Sequence, residues 1–192
     1  MSIDFTPEQI QIRDAVERLC SSYGDEYWLA RDNDKQFPED FCQAIADAGF
    51  MGIAMPEEYG GSGLGITEAA ILMQEISRSG AGNGGVSSVS LGIFGLNPVV
   101  RYGTDEQKAR MLPPIIKREK RACFGVTEPN TGLDTTRLRT KAVLKGDRYI
   151  VHGQKTWTTT AQGHWRGQRY GGLRGVSRPT ASLGCAATPR RR

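Results

Sequence analysis

Residues 123–134, CFGVTEPNTGLD, mark the point at which the pattern of this sequence changes. Pro129 and Gly132 interrupt the segment, which predicts a strand that runs into a loop. Such a loop exposes backbone N–H groups beside the hydroxyls of Thr127 and Thr131. This arrangement suits a ligand that carries carbonyl or phosphate groups at its edge.

A β-domain is predicted around this segment and beyond it, over residues 121–162. Apolar and charged residues alternate from 137–145, which is typical of a strand with one buried face. The Gly-Asp pair at 146–147 then predicts a two-residue hairpin turn before a returning strand at 148–152. The threonine-rich residues 154–161 predict a third strand.

Helices are predicted on the N-terminal side, over residues 1–120. Thr6 and Thr104 each begin a capping-box pattern, in which glutamine follows three residues later. Apolar residues at helical spacing predict helices from Thr6 to Gly24, at 38–49, at 67–78, at 86–102, and from Thr104 until Pro113 and Pro114 interrupt it. Helices followed by an antiparallel sheet predict an α+β fold with two domains.

The last segment, residues 163–192, differs from the rest of the chain. It contains seven arginines, six glycines and no acidic residue, within a chain of 192 residues whose net charge is +4. Because it has no apolar face to bury, this basic tail is predicted to be disordered. The rest of the chain is slightly acidic, so nucleic-acid binding is not expected of it. RNA binding by the tail alone is the weaker alternative.

Cysteine and histidine usage bounds the compartment and the metal chemistry. The four cysteines form no Cys-x-x-Cys pair, which favours reduced thiols and a cytoplasmic protein. No apolar run approaches the roughly 20 residues that span a bilayer, so no membrane segment is expected. His152 and His164 have no carboxylate or cysteine neighbours at metal-ligand spacing, so no metal site is expected either.

A second candidate ligand segment is GQKTWTTT, at residues 153–160. The indole of Trp157 beside several hydroxyls matches what a flat heteroaromatic cofactor needs, namely a stacking surface and hydrogen bonds at its edge. On the residues alone, an ordinary turn in the first segment and a core tryptophan in the second remain open alternatives.

Together the two segments resemble the acyl-CoA dehydrogenase family. Thr-Glu-Pro-x-x-Gly-x-Asp at 127–134 is followed by Gly-Gln-Lys-x-Trp-x-Thr at 153–159. The upstream segments MPEEYGG at 55–61 and YGTDEQK at 102–108 agree with the family in content and in order. The resemblance covers nearly everything except the basic tail.

The resemblance implies a homo-oligomeric enzyme that holds FAD between a middle β-domain and a C-terminal helical bundle. The residues that it places along the cofactor are Phe124, Val126, Thr127, Gly132, Leu133, Trp157 and Thr159. Among these, Thr127 would bond the pyrimidine edge of the flavin, Trp157 would flank the ring, and Thr159 would bond near N5. Many family members have serine where this chain has Leu133, so a hydroxyl is missing there.

The reaction implied is FAD-dependent α,β-dehydrogenation of an acyl-CoA thioester, with electron-transferring flavoprotein as the acceptor. Ser87, Ser90 and Leu133 would face the substrate, although close helix packing explains the two serines equally well. In the family the catalytic base is a glutamate of the C-terminal bundle, which this chain is expected to lack, so no catalytic residue is assigned. The β-domain is expected to be incomplete, and the fragment to bind flavin weakly and to be inactive alone. The alternatives are an acyl-CoA oxidase relative and a non-catalytic subunit that docks on full-length partners.

Overall fold

The computed structural model describes residues 5–146, 148–158 and 185–187. It divides between Ala122 and Cys123 into two compact units, named here the helical unit and the β-unit. The helices are α1 (Pro7–Cys20), α2 (Asp25–Asp34), α3 (Glu39–Asp47), α4 (Ile66–Ile76), α5 (Gly82–Phe94), α6 (Asn97–Tyr102) and α7 (Asp105–Ile116). The strands are β1 (Lys141–Lys145), β2 (Arg148–His152) and β3 (Cys185–Ala187). This order confirms the predicted α+β class. Within the described residues, no helix combines the length and the apolar character needed to cross a membrane.

The helix starts follow the capping signals in the sequence. At α1, Thr6 Oγ1 accepts from Gln9 N at 3.3 Å, and Gln9 Oε1 accepts from Thr6 N at 3.0 Å. The same glutamine donates from Nε2 to Glu68 Oε1 at 2.9 Å, and Glu68 Oε2 accepts from Gly65 N at 3.0 Å at the start of α4. One glutamine therefore joins the capping groups of two helices. The second predicted capping box, at Thr104, also forms.

The helical unit is built on an apolar core to which four helices contribute. Val16 from α1, Phe41 from α3, Leu72 from α4 and Val89 from α5 are fully buried and belong to one cluster. Burial of a side chain of this size contributes about 1.5–3 kcal/mol relative to exposure. The core therefore fixes the arrangement of these helices.

Helix α2 is missing from the sequence-based prediction. None of its residues is buried, so it has no apolar stripe that periodicity could reveal. It is held instead by aromatic contacts: the ring of Trp28 meets that of Phe41 edge-to-face, with centroids 5.0 Å apart. Trp28 Nε1 also donates to the carbonyl of Tyr23 at 2.9 Å.

Two predictions near the end of the helical unit are wrong. The single helix expected at 86–102 is two helices, because Leu96 leaves the helical conformation between them. Pro113 and Pro114 do not interrupt α7, which continues through both. Each proline removes a helix hydrogen bond, but Leu112 beside them is fully buried, and this packing holds the helix together.

The β-unit contains an antiparallel sheet in the order β1-β2-β3. The predicted hairpin forms, with Gly146 in the left-handed region at φ 61° and Val143 paired with Ile150. All five residues of β1 are exposed. The hairpin is therefore held by its backbone ladder rather than by a buried face.

The third strand forms elsewhere than predicted. Residues 154–158 form no strand, because Trp157 has a φ of 55° and interrupts the extended backbone. Instead β3, within the segment predicted to be disordered, pairs with β2 through Val151 and Cys185. The free edge of β2 offers backbone groups that a short segment can satisfy. The rest of 163–192 lies outside the described residues.

Gly61 lies where the structure leaves no room for a side chain. A Cβ there would lie 2.2 Å from the carbonyl oxygen of Met55 and 2.8 Å from that of Gly52. Both atoms belong to the backbone and cannot move aside easily. We expect Gly61→Ala to lower the free energy of unfolding by about 1–3 kcal/mol in urea titrations of the full chain.

The matched control is Gly84→Ala in α5, where nothing lies within 4 Å of the added Cβ. Because alanine favours the helix more than glycine does, this change should raise the free energy of unfolding by about 0.5–1 kcal/mol. Equal effects of the two substitutions would contradict the crowding at Gly61.

Candidate functional site

The predicted loop at 128–131 is a tight turn. Glu128 N donates to Thr131 O at 2.9 Å, and Thr131 N donates to Glu128 O at 3.0 Å. Both residues are buried, and Thr131 Oγ1 donates to the carbonyl of Arg137 at 3.2 Å. The turn is therefore fixed at both of its ends and against the chain that follows it.

The carboxylate of Glu128 accepts four hydrogen bonds. Oε1 accepts from Thr140 Oγ1 at 2.5 Å, from Thr140 N at 2.9 Å and from Lys155 Nζ at 2.9 Å, and Oε2 accepts from Arg139 N at 2.6 Å. The Thr140 hydroxyl, followed by the Arg139 N–H and Lys155, lowers the pKa of Glu128 to about 2, because each donor favours the charged form. A carboxylate that is only 5% exposed needs such partners.

Lys155 joins the two candidate ligand segments. Its Nζ donates to Val126 O at 2.9 Å as well as to Glu128. The next residue, Thr156, donates its N–H to Thr127 O at 2.9 Å. The two segments singled out in the sequence are therefore in direct contact.

Sequence reasoning missed the role of Lys155, although it belongs to the quoted motif. It is the one charged residue in the stretch 149–160, which is otherwise rich in threonine and aromatic residues. A lone cation in such a stretch is a signal for an ion pair, and Glu128 is one of the two acids inside the other motif. Reading the motifs as a pair would have found this contact.

The residues predicted to face a cofactor lie at or beside this contact. Val126 and Thr127 are half-buried in it, whereas Phe124 is 53% exposed and Trp157 is 90% exposed. Thr159 lies outside the described residues. The structure thus places Val126 and Thr127 in the contact, with Phe124 and Trp157 nearby along the chain. The predicted convergence of Thr127 and Thr159 stays a prediction.

Gly132 and Leu133 continue the loop beyond the tight turn. Both are exposed, and Leu133 fully so. Asp134 Oδ1 accepts from Thr136 N at 3.2 Å and from Thr136 Oγ1 at 2.5 Å, so this carboxylate stabilises the turn that follows. The backbone of Gly132 is left open at the surface of the β-unit.

Ser87 and Ser90 belong to α5 in the helical unit. Ser87 Oγ donates to Asn83 Oδ1 at 3.4 Å, and Ser90 Oγ donates to the carbonyl of Ser87 at 3.2 Å. Both hydroxyls therefore bond within their own helix. Their role toward a substrate stays a prediction.

The described residues also include a cavity away from the two loops. A cavity of about 610 Å³ in the helical unit is lined by residues that include Met55, Glu57, Leu64 and Val100. None of the residues predicted to face a cofactor lines it. No group of three or more His, Cys, Asp or Glu side chains among the described residues could hold a metal ion. The pair of loops is the stronger candidate.

The stability of the β-unit should depend on the ionisation of Glu128. Folding lowers the pKa of this residue from its ordinary value of 4.5 to about 2, so the unfolded chain takes up a proton more readily. The stability that the carboxylate contributes is therefore fully present above the unfolded-state pKa, declines as the pH falls, and is lost below about 2.

Urea unfolding, followed by NMR signals of the β-unit, measures this dependence. The stability difference between wild type and Glu128→Gln should be constant above roughly pH 5.5 and shrink toward pH 2. Asp134→Asn, at an exposed carboxylate of the same unit, controls for the loss of one negative charge. A wild-type advantage over Glu128→Gln that does not change across this pH range would contradict the assignment.

Known proteins resemble this chain in sequence and in fold. The family model for the acyl-CoA dehydrogenase N-terminal domain matches residues 6–119. The probable acyl-CoA dehydrogenase YngJ of Bacillus subtilis (strain 168) is 34% identical over 161 residues, which are 84% of this chain and 42% of that protein. Mitochondrial isovaleryl-CoA dehydrogenase of Bos taurus is 34% identical over 154 residues, 79% of this chain and 36% of that protein. The crystal structure of acyl-CoA dehydrogenase from Geobacillus kaustophilus matches with a TM-score of 0.68 and 27% identity, over 82% of this chain and 41% of that one.

The matches reach beyond the helical unit. The 161 residues aligned with the Bacillus subtilis protein outnumber those before the division at Ala122, so the alignment extends into the β-unit. This chain spans less than half the length of each of the three proteins. Since the family model covers more than half of the chain and two relatives from distant organisms share 34% of the aligned residues, the chain belongs to the acyl-CoA dehydrogenase family.

Proposed function

We propose that this chain is part of an enzyme that uses FAD to remove hydrogen from the α and β carbons of an acyl-CoA thioester. The observation that carries the proposal is the contact between the two motif segments, in which Thr156 N bonds Thr127 O at 2.9 Å. Family membership supports the reaction class. The contact supports a single ligand surface built from both motifs.

The exposed groups of this surface fit a flavin. Trp157 and Phe124 expose 90% and 53% of their areas, so both aromatic rings are accessible for stacking on a flat ligand. Gly125, next to Phe124, has no side chain, and a Cβ there would lie 3.4 Å from Thr158 Oγ1. When bound, FAD supplies the acceptor for the hydrogen that leaves the β carbon as hydride.

The proposed roles of the loop residues are to bind and orient the cofactor. Phe124 and Val126 lie along the flavin ring, Thr127 bonds its pyrimidine edge, and Trp157 flanks it. Thr159, which lies outside the described residues, bonds near N5. These groups select one orientation of the ring, because stacking alone would leave the ring free to rotate.

The substrate contacts are proposed from the family resemblance, residue by residue. Gly132 and Leu133 face the cofactor pyrophosphate and the thioester end of acyl-CoA. Ser87 and Ser90 face the acyl group, where their small side chains leave space. Electron-transferring flavoprotein is the proposed acceptor of the electrons, and a homo-oligomer is the proposed assembly, both from the family resemblance.

No catalytic base is assigned within the loops. Glu128 is the buried carboxylate there, but four hydrogen bonds hold its pKa at about 2. A general base works best with a pKa near the working pH, so Glu128 is a poor proton acceptor. We propose that the base is a glutamate of the C-terminal bundle that the resemblance implies.

Replacing Trp157 tests the flavin surface. In FAD titrations of the full chain, followed by flavin fluorescence, we expect weak but saturable binding by the wild type. Trp157→Ala should raise the dissociation constant by roughly fivefold to tenfold, because it removes one stacking face of the ring.

Tyr102→Ala is the matched control, since Tyr102 is a 72% exposed aromatic residue of the helical unit. It should leave the dissociation constant within about twofold of the wild type. Equal affinities of the wild type and Trp157→Ala, or the absence of any saturable FAD binding, would contradict the proposed surface.

A further inference from the structure

We propose that Glu128 and Lys155 are positioning residues, whose buried ion pair holds the two flavin-facing segments in register before any ligand is bound. Neither side chain is proposed to touch the cofactor. The inference rests on the proposed function, because it assigns these two residues a purpose within the flavin surface.

Lys155 connects the second segment to the first through its ammonium group. Its side chain is 13% exposed, and its ammonium group reaches both Glu128 Oε1 and Val126 O at 2.9 Å. The long side chain of a lysine usually keeps its ammonium group in water. Because Lys155 instead bonds two oxygens of the protein, these two hydrogen bonds restrict where its backbone can lie. The neighbouring Thr156 is thereby set opposite Thr127, where a backbone hydrogen bond joins the two segments.

Glu128 connects the first segment to the residues that precede β1. It belongs to the first motif segment, and it also accepts from the backbone N–H groups of Arg139 and Thr140, which enter β1. One carboxylate thus connects the first segment, the approach to the sheet and the second segment. Removing either partner of a buried ion pair leaves the other charge without compensation.

Residues 123–127 and 154–158 form no strand, so regular β pairing does not fix their register. Among the described residues, one backbone hydrogen bond joins these segments, from Thr156 N to Thr127 O, so the segments could slide against each other. The ion pair supplies the constraint that a ladder would supply elsewhere.

Amide hydrogen exchange of the full chain without FAD tests the register. The Thr156 N–H, which bonds Thr127 O, should be protected in the wild type. Glu128→Gln and Lys155→Met should each reduce this protection by about tenfold or more. Lys155→Arg keeps the charge and the donors and should restore it, and Asp134→Asn should leave it unchanged. Far-UV circular dichroism confirms that the helices remain folded in each variant.

Thr140→Val is the milder variant, in case the two larger changes prevent folding. It removes the hydroxyl that donates at 2.5 Å to Glu128 Oε1, the oxygen that also accepts from Lys155, so it loosens the ion pair without removing either charge. We expect a smaller loss of Thr156 protection, about threefold to fivefold. No loss in this variant, where Glu128→Gln and Lys155→Met do not fold, would overturn the proposal.

FAD titration of the same variants tests the purpose of the register. Glu128→Gln and Lys155→Met should raise the dissociation constant by about tenfold and shift the visible absorption band of bound flavin, whereas Lys155→Arg should restore both. Lost Thr156 protection with unchanged flavin affinity and spectrum would overturn the positioning role, as would full protection in both variants. If the wild type binds no FAD, the proposed function fails, and the exchange measurement still decides whether the ion pair sets the register.

Discussion

The β-unit depends on one buried negative charge. A carboxylate removed from water is unfavourable unless donors surround it, and Glu128 accepts hydrogen bonds from three residues, Arg139, Thr140 and Lys155. Two come from the backbone before β1, one from a hydroxyl at the same position, and one from Lys155. Because these donors are distant in sequence, satisfying the charge requires the segments to meet. The polar contact thereby determines the fold of the loops.

The two units are stabilised by different physical means. The helical unit buries apolar side chains such as Phe41 and Leu72, and its helices are arranged by that core. In the β-unit every residue of β1 is exposed, while the buried positions include Glu128 and Thr131. Hydrophobic burial is roughly proportional to area and tolerates small shifts, whereas hydrogen bonds depend steeply on direction. A surface that must orient a ligand is better served by the second kind of interaction.

This contrast explains what the sequence could predict. The capping boxes at Thr6 and Thr104 and the hairpin at Gly146 are local signals, and each was found. Helix α2 was missed because aromatic contacts across the core hold it, and α7 passes its prolines because Leu112 is buried. In each case tertiary packing overrides a local rule. The strand expected after position 153 is interrupted at Trp157, whose left-handed backbone no local pattern in the sequence indicates.

Within the site, the motifs identify the two segments, but they do not show which residues face a ligand and which hold the segments together. Thr127 and Trp157 present groups that a ligand could reach, whereas Glu128 and Lys155, in the same motifs, point into the protein and bond each other. Two irregular segments in contact need side chains of both kinds. Each segment must offer polar groups to a ligand on one side and satisfy its partner on the other. The ligand-facing residues therefore account for only part of each motif. The other residues are explained by the need to hold two segments in one register without a strand ladder.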